Sequence, residues 1–330
     1  MEYLKSKRIQ KKISKIGLGT QPFGSHSEKE GKETIKKAFE QNINFLDTAW
    51  IYGHGKSEEI IGKTLKDYDR ENIVIETKIG LQILDDTTVR DSREKMLRKQ
   101  LQTSLNRLQT DYVDICYIHW PDPKIPFEKT AKVLEQFKEE GHILSVGLSN
   151  YTIDQVKKHQ QKGTLSAVQN PYNIFERAIE KKLVSYVKQK DIFLMAYRPL
   201  CQGLLTGKYN ETMHFTEHEV KKDDPKFKQP QFSQYLQAVE KLDKLASETF
   251  DRTVMDLAVR WILDNRNMIA LWGAWKPAYL EEIEGCFEWK IDKNTRDEID
   301  NILHETIKDP VGPEFLAPDI RTDELSLPVS

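Results

Sequence analysis

The chain has 330 residues, long for a small domain and ordinary for one α/β barrel. Its 50 basic and 52 acidic residues leave a formal charge of −2, which gives no global reason to expect nucleic-acid or membrane binding. It has no run of about 18 apolar residues, no apolar h-region in "MEYLKSKRIQKK", and only three scattered cysteines (Cys116, Cys201, Cys286) without a CxxC, so a membrane span, a secretory signal, a disulfide framework and a zinc knuckle are unexpected and a reducing, cytoplasmic setting is expected.

In chain order, the first dozen residues are polar and can form a hairpin that plugs one end of a barrel. Eight apolar runs of strand length follow: "KIGLGT" (15–20), "NFLDTA" (44–49), "IVIETK" (73–78), "VDICYIHW" (113–120), "ILSVGLSN" (143–150), "SAVQNPY" (166–172), "IFLMAYRPL" (192–200) and "MIALWGA" (268–274). They are β-branched, aromatic and non-alternating, the pattern of strands buried on both faces of a parallel sheet. Amphipathic stretches separate them, among them "SEEIIGKTLKDY", "REKMLRKQLQTSLNRLQ" and "FEKTAKVLEQFKEEG", the last closed by a helix stop at Gly141. Strand and helix alternating eight times predict a (β/α)8 TIM barrel, one domain over 1–330 with a Pro-rich tail from 309 to 330. The competing doubly wound sheet would show a GxGxxG turn after its first strand, and "GLGTQPFG" leads into none. Two expansions break the repeat: "IGLQILDDTTVRD" after the third strand, and a loop of about thirty residues after the seventh, too long to be a mere connection. An additional helical stretch, "TVMDLAVRWILDN", precedes the eighth strand.

Polar residues collect at the strand ends. Asp47 closes the second strand, Tyr52 follows it, Lys78 closes the third and His119 the fourth. In a barrel these ends converge on one mouth. Singly, each has a packing explanation: a capping aspartate, a core tyrosine, a snorkelling lysine, a satisfied histidine. An acid, a phenol, an ammonium and an imidazole at consecutive strand ends are harder to explain that way. Together they suit proton transfer to a developing alkoxide. A free tyrosine, with a pKa of ~10, is a poor acid at neutral pH, and lowering it by ~2 units takes about 2.7 kcal/mol. One ammonium at ~4 Å, with an effective dielectric of ~20, supplies roughly that much, so Lys78 is expected to lower the Tyr52 pKa while Asp47 holds the lysine charged. His119 would align and polarise a carbonyl. No serine, cysteine or second carboxylate is expected to complete a nucleophilic or glycosidase pair. The set lacks a reductant, so a hydride-carrying cofactor is implied. Trp50 and Trp120 adjoin these strand ends and are candidates for an apolar substrate wall. His214 and His218 have i, i+4 spacing but lie in loop sequence with no further ligand, and are read as ordinary surface residues.

These motifs resemble the aldo-keto reductase family: "LDTAWIYGHGKSEEIIG", "TK" at the third strand end, "IHW" at the fourth, "GLSN" at the fifth, "VQNPYN" at the sixth and "GLLTGKY" after the seventh. The resemblance covers nearly the whole chain. More narrowly, "DPKFKQPQF", "LAVRWILDN", "ALWGA" and "DPVGPEFLAP" are similar to the NADPH-dependent general-stress reductases of bacteria. It implies Asp47, Tyr52, Lys78 and His119 as a catalytic tetrad with Tyr52 as proton donor, a small-molecule carbonyl substrate, and a monomer. For the cofactor, NADP(H), it implies contacts from Thr20, Gln21 and Asp47, carboxamide ligands Ser149, Asn150 and Gln169, and a stacking Tyr197. It also implies a pyrophosphate run through Arg198, Pro199, Leu200, Cys201, Gln202 and Gly203, with Lys208 supplying positive charge. Gly203, Gly207, Lys208, Lys221 and Lys222 lead to the further expectation that the long loop folds over the pyrophosphate as a clasp.

The chain departs from that pattern where the 2′-phosphate ribose should lie, at Gly273, Ala274, Trp275 and Tyr279. Trp275 stands for the family's arginine, Tyr279 for its glutamine, and Lys221 for the loop arginine. Lys221, Lys222 and Lys276 would then be point charges without an arginine's bidentate fork, Trp275 is a candidate to stack on adenine, and Glu282 is the nearest acid to a free 2′-hydroxyl. NAD(H) is therefore admitted beside NADP(H). Two other functions compete with carbonyl reduction. One is a cofactor-binding regulatory subunit like the potassium-channel β-subunits; the chain shows no coiled-coil heptad or N-terminal extension to dock a partner. The other is a hydrolase using Asp47 and His119, which would need no nicotinamide.

Overall fold

The computed structural model describes residues 1–5, 9–85, 87–215, 221, 223–313 and 316–321. Eight parallel strands close into a barrel: β3 (Ile16–Gly19), β4 (Phe45–Asp47), β5 (Val74–Ile79), β8 (Val113–Ile118), β9 (Ile143–Ser149), β10 (Ala167–Pro171), β11 (Phe193–Tyr197) and β12 (Met268–Gly273). Seven fall within the runs read from the sequence, and β5 extends one residue past its run, to Ile79. Around them lie α1 (Glu28–Glu40), α2 (Lys56–Leu65), α3 (Glu94–Leu108), α4 (Phe127–Glu139), α5 (Ile153–His159), α6 (Ser185–Gln189), α7 (Gln231–Phe250), α8 (Val254–Leu263) and α9 (Lys293–Thr306). Both α7 and α8 lie between β11 and β12, which accounts for the additional helical stretch.

Helix boundaries follow from capping chemistry. Ser27 with Glu30, Thr152 with Gln155 and Thr253 with Asp256 each form a reciprocal capping box at the starts of α1, α5 and α8; a cap of this kind stabilises a helix end by about 1 kcal/mol. Past α4 the chain turns at Gly141 with φ 81, the left-handed stop expected there.

Apolar side chains separate into two cores. One fills the layer between strands and helices. The other fills the lumen with Phe45, Val74, Ile115, Tyr117, Ala167, Phe193, Met195, Ile269 and Leu271. These alternate along their strands with residues facing the helices, as the period of two requires. At Gly147 a Cβ would lie 2.4 Å from the Tyr117 ring, so this glycine makes room for the largest lumen side chain. At the bottom, β1 (Tyr3–Lys5) and β2 (Lys12–Ser14) form the antiparallel hairpin, and Leu4, Ile9 and Ile13 join the lumen core. The N-terminal segment is thus the expected plug.

The expansion after β5 is a hairpin of β6 (Leu81–Leu84) and β7 (Thr87–Arg90), to which β13 (Asp319–Ile320) of the tail adds in parallel. Of the long loop after β11, residues 216–220 and 222 lie outside the described set, and with them His218 and Lys222. The described residues include no helix long and apolar enough to cross a membrane.

Candidate active site

Period-two alternation also places the site. Lys78 follows Val74 and Glu76 on the inward face of β5, Asp47 follows Phe45 on β4, and His119 follows Tyr117 just past β8. All three therefore emerge from the lumen at its upper mouth. Tyr52 arrives on the turn Tyr52–Gly55, whose residues Gly53, His54 and Gly55 have φ 56, 55 and 95. A Cβ at Gly53 would lie 2.2 Å from the Gly24 Cα, so the two backbones touch and lock the turn against the loop after β3.

Lys78 is the centre of the arrangement. It is 1% exposed, and its ammonium donates to Asp47 Oδ1, to the Thr48 carbonyl at 2.9 Å and to the Tyr52 hydroxyl at 3.2 Å. Burial lowers the Lys78 pKa, but Asp47, Tyr52 and Glu76 outweigh it and hold it above its usual value, so the lysine is charged. The His119 ring meets the Tyr52 ring edge-on, 5.7 Å between centroids. The four residues expected to act together are together.

The electrostatics differ from expectation in one respect. Tyr52 is raised to about 12, because desolvation by burial exceeds the lowering effect of Lys78. The ammonium does pull the phenol toward ionisation, yet desolvation pushes harder. Tyr52 therefore holds its proton at neutral pH. His119 is held well below its usual value, first by burial and then by Lys78, so its imidazole is neutral. With that sign, protonation of His119 begins only at pH well below the ordinary histidine range. The pH profile of turnover should therefore show no acidic limb near ~6.5; an inflection there that disappears in His119→Asn would contradict this assignment.

A second carboxylate, not anticipated, lies beside the first. Glu76 is fully buried in the lumen, directly across the ladder from Asp47. The sequence signal was its position: a charged residue two before Lys78, on the inward face of a strand that otherwise reads apolar.

At the ends of β9 and β10 the polar groups interlock. Asn150, with φ 63, accepts from the Tyr197 hydroxyl at 2.7 Å and donates to Ser149 Oγ and the His119 carbonyl, both at 3.0 Å. Gln169 uses its side-chain nitrogen on Asp47 Oδ1 at 3.0 Å and Glu76 Oε1 at 2.7 Å. Ser149 thus keeps its hydroxyl proton to donate, and Gln169 keeps its amide oxygen to accept. That pair complements a carboxamide, and the half-buried Tyr197 ring beside it is anchored through its hydroxyl. The donor set fits a nicotinamide.

The remaining expected contacts separate into three groups. Thr20 is fully buried and its hydroxyl is engaged with the Asp47 carbonyl and Ser57, both at 2.7 Å, so it acts on the site through the Asp47 backbone. Gln21 beside it is exposed. After β11, Arg198, Cys201, Gln202 and Gly203 all have positive φ, and the stretch Cys201–Thr206 coils tightly past Pro199 and Leu200. Within that coil the Cys201 N–H donates to the Arg198 carbonyl and the Gly203 N–H to the Leu200 carbonyl, both at 2.9 Å. Gln202 bonds to Asp224, and Asp224 to the buried Lys226 and thence Glu176, so the long loop is pinned across its own base.

The adenosine end differs most from the expected picture. Lys208 is paired with Glu282 at 2.9 Å rather than standing as an unpaired charge. Trp275 stacks on His26 at 3.8 Å between centroids, with the Lys276 ammonium 4.0 Å from the same ring, so stacking on adenine would require moving one of them. Tyr279 is exposed and meets Trp275 edge-on at 5.6 Å. Lys221 sits 5.4 Å from the Tyr209 and Phe215 rings. Gly273 offers open space where a side chain would begin, next to the buried Ala274. Of the residues expected to wall a substrate, Trp50 and Trp120 are both half-buried, the latter 5.4 Å from the Arg90 guanidinium.

Comparison with known proteins agrees with this geometry. The model of the "Aldo/keto reductase family" matches residues 15–304. The chain is 41% identical over 330 residues to "Aldo-keto reductase YhdN" of Bacillus subtilis, covering 98% of this chain and 100% of the relative. It is 31% identical over 291 residues to the "NADH-specific methylglyoxal reductase" of Escherichia coli, covering 82% of this chain and 88% of that one. Among solved structures it is similar to the glycerol dehydrogenase AKR11B4 from Gluconobacter oxydans, with a TM-score of 0.88, 35% identity, and coverage of 96% and 99% of the two chains.

Proposed function

The chain belongs to the aldo/keto reductase family, and from that premise we propose that it reduces aldehydes or ketones to alcohols with NADPH or NADH, Tyr52 donating the proton. The observation that carries the reading is the Lys78 ammonium, bonded at once to the Asp47 carboxylate and the Tyr52 phenol at the mouth of the barrel. A reduced nicotinamide would supply the hydride. Ser149, Asn150, Gln169 and Tyr197 would hold its ring over the mouth, and the left-handed run Cys201 to Gly203 its pyrophosphate. Trp50 and Trp120 would wall the carbonyl compound from water. The neutral His119 imidazole would donate a hydrogen bond to the carbonyl oxygen and align it for the Tyr52 proton. As the oxygen gains charge, Lys78 stabilises the phenolate forming behind it. Steady multiple turnover of 4-nitrobenzaldehyde with either nicotinamide tests the reading; tight cofactor binding with a single turnover would replace it with a regulatory, cofactor-sensing role.

Cofactor choice follows from the adenosine end. Trp275, Tyr279 and Lys221 leave no planar fork for a 2′-phosphate, and Glu282 is occupied by Lys208. Charge-assisted hydrogen bonds contribute ~1.5–3 kcal/mol each, so two missing arginine contacts remove roughly 3–6 kcal/mol, partly offset by Lys221 and Lys276. NADPH should therefore bind with only a modest advantage over NADH. The ratio of dissociation constants, by fluorescence titration, checks this. A preference above about a thousandfold, ~4.1 kcal/mol, would mean that a full phosphate grip exists.

A further inference from the structure

The lumen beneath the tetrad holds an ionisable group for which the mechanism has no task. Glu76 is fully buried in mid-strand, and Asp47 stands next to it in register, so two carboxyls share one dry compartment. Both converge on one donor, the Gln169 side-chain nitrogen, at 2.7 Å for Glu76 and 3.0 Å for Asp47. Lys78 has three N–H donors, and they go to Asp47, the Thr48 carbonyl and Tyr52. Two adjacent carboxyls served by one cation keep a proton between them. Because the lysine is bonded to Asp47, Asp47 carries the charge and Glu76 the proton.

The groups facing Glu76 from each neighbouring element agree with this. Burial first, and then the charge of Asp47 from β4, hold its carboxyl well above the ordinary range, against the opposing effects of Lys78 on its own strand and the Tyr117 hydroxyl from β8. Gln169 on β10 and Met195 on β11 are neutral. Tyr52, above the cluster, is pushed up by the negative charge of Asp47 and would be pushed up further by a charge at Glu76.

We propose that Glu76 is a positioning residue of the reductase site that works as a neutral acid, orienting the Gln169 amide and keeping the buried Asp47–Lys78 pair charge-balanced, so that turnover falls when alkaline pH removes its proton. With Glu76 neutral, the cluster carries no net charge and Lys78 is free to favour the Tyr52 phenolate. Loss of the Glu76 proton to solvent leaves one net negative charge beneath Tyr52. The phenol then becomes a weaker acid in the transition state. The kinetic half of this proposal rests on the reductase reading; the protonation half does not.

Glu76→Gln tests both halves, since glutamine reproduces the shape and neutrality of the protonated acid at every pH. A carboxyl held above its unfolded titration contributes stability that is complete below the ordinary glutamate range and lost as pH rises through its folded titration. The variant escapes that loss. Its melting temperature should therefore exceed that of the wild type by a margin that widens with pH, the ratio of the two folding constants growing up to about tenfold per pH unit. Aldehyde reduction by the wild type should decline on the alkaline side, where the margin stops widening, while the variant holds its rate. A flat or inverted margin would show Glu76 ionised at neutral pH and overturn the proposal. A widening margin with superimposable rate profiles would make the proton structural only, and would equally overturn the positioning role. Wild type that binds nicotinamide but never turns over would defeat the reductase reading, while the unfolding comparison still reads the proton. If the glutamine variant does not fold, Glu76→Met, similar in length and uncharged, should show the same widening margin and the same flat alkaline limb.

Discussion

Tyr52→Phe is expected to lower kcat for carbonyl reduction by ~10²–10⁴-fold, the range that a positioned proton donor supplies, with little change in nicotinamide affinity. The substitution removes one oxygen. The ring remains edge-on to His119, and the turn remains held by the Tyr52 N–H on the Ala49 carbonyl at 3.1 Å and by the Gly24–Gly53 contact. Lys78 keeps two of its three acceptors, Asp47 and the Thr48 carbonyl. The proposed cofactor contacts use Ser149, Asn150, Gln169 and Tyr197, none of which bonds to the lost hydroxyl. Steady-state kinetics and cofactor titration on the same preparation separate the two effects. Because Tyr52 in the wild type is raised to about 12, the rate loss should be the same across neutral pH and should not be recovered by acidification. Retention of more than about a tenth of the wild-type rate would show that another group donates the proton, with His119 the first to examine.

The tetrad was legible before any coordinates because a parallel barrel converts sequence position into spatial position. Once the eight apolar runs are taken as strands, Asp47, Lys78 and His119 must share a mouth, whatever the helices between them do. Glu76 was missed for the same reason. Attention to strand ends passes over strand middles, and "IVIETK" reads as one apolar run with a polar finish. Only the period of two, counted back from Lys78, puts Glu76 in the lumen, and only the ladder puts it beside Asp47. The opposing effects on Tyr52 were also illegible. The lysine's pull follows from residue types, but the larger cost of desolvation depends on how completely neighbouring side chains exclude water, which no spacing reveals. At the adenosine end the departures at Trp275 and Tyr279 could be seen in the sequence, whereas the stacking of Trp275 on His26 joins residues from opposite ends of the chain. Contacts of that kind are set by loop conformation rather than by periodicity.

The second large effect is expected for Lys78→Met, which separates charge from volume at the centre of the site. Methionine fills much of the lysine's space and removes the ammonium. Asp47, 4% exposed, then keeps, among the described residues, the Gln169 nitrogen and the neighbouring Glu76 carboxyl as side-chain partners. Leaving a buried carboxylate without its cation costs about 3–5 kcal/mol, unless it takes up a proton. The variant should therefore unfold at lower temperature, and the loss should shrink as pH falls and Asp47 is neutralised. Turnover should fall by ~10²-fold or more, because the ~4 kcal/mol that an ammonium near 4 Å contributes at an effective dielectric of ~20 is no longer available to the forming phenolate. Acidification should restore stability without restoring rate, because neutralising Asp47 does nothing for Tyr52. That split distinguishes the two roles proposed for Lys78, counter-ion below and electrostatic support above. If rate and stability recovered together at low pH, Lys78 would act on turnover only by holding the mouth of the barrel in shape. An unchanged rate and pH profile would mean that the 3.2 Å contact between Lys78 and Tyr52 has no part in proton donation.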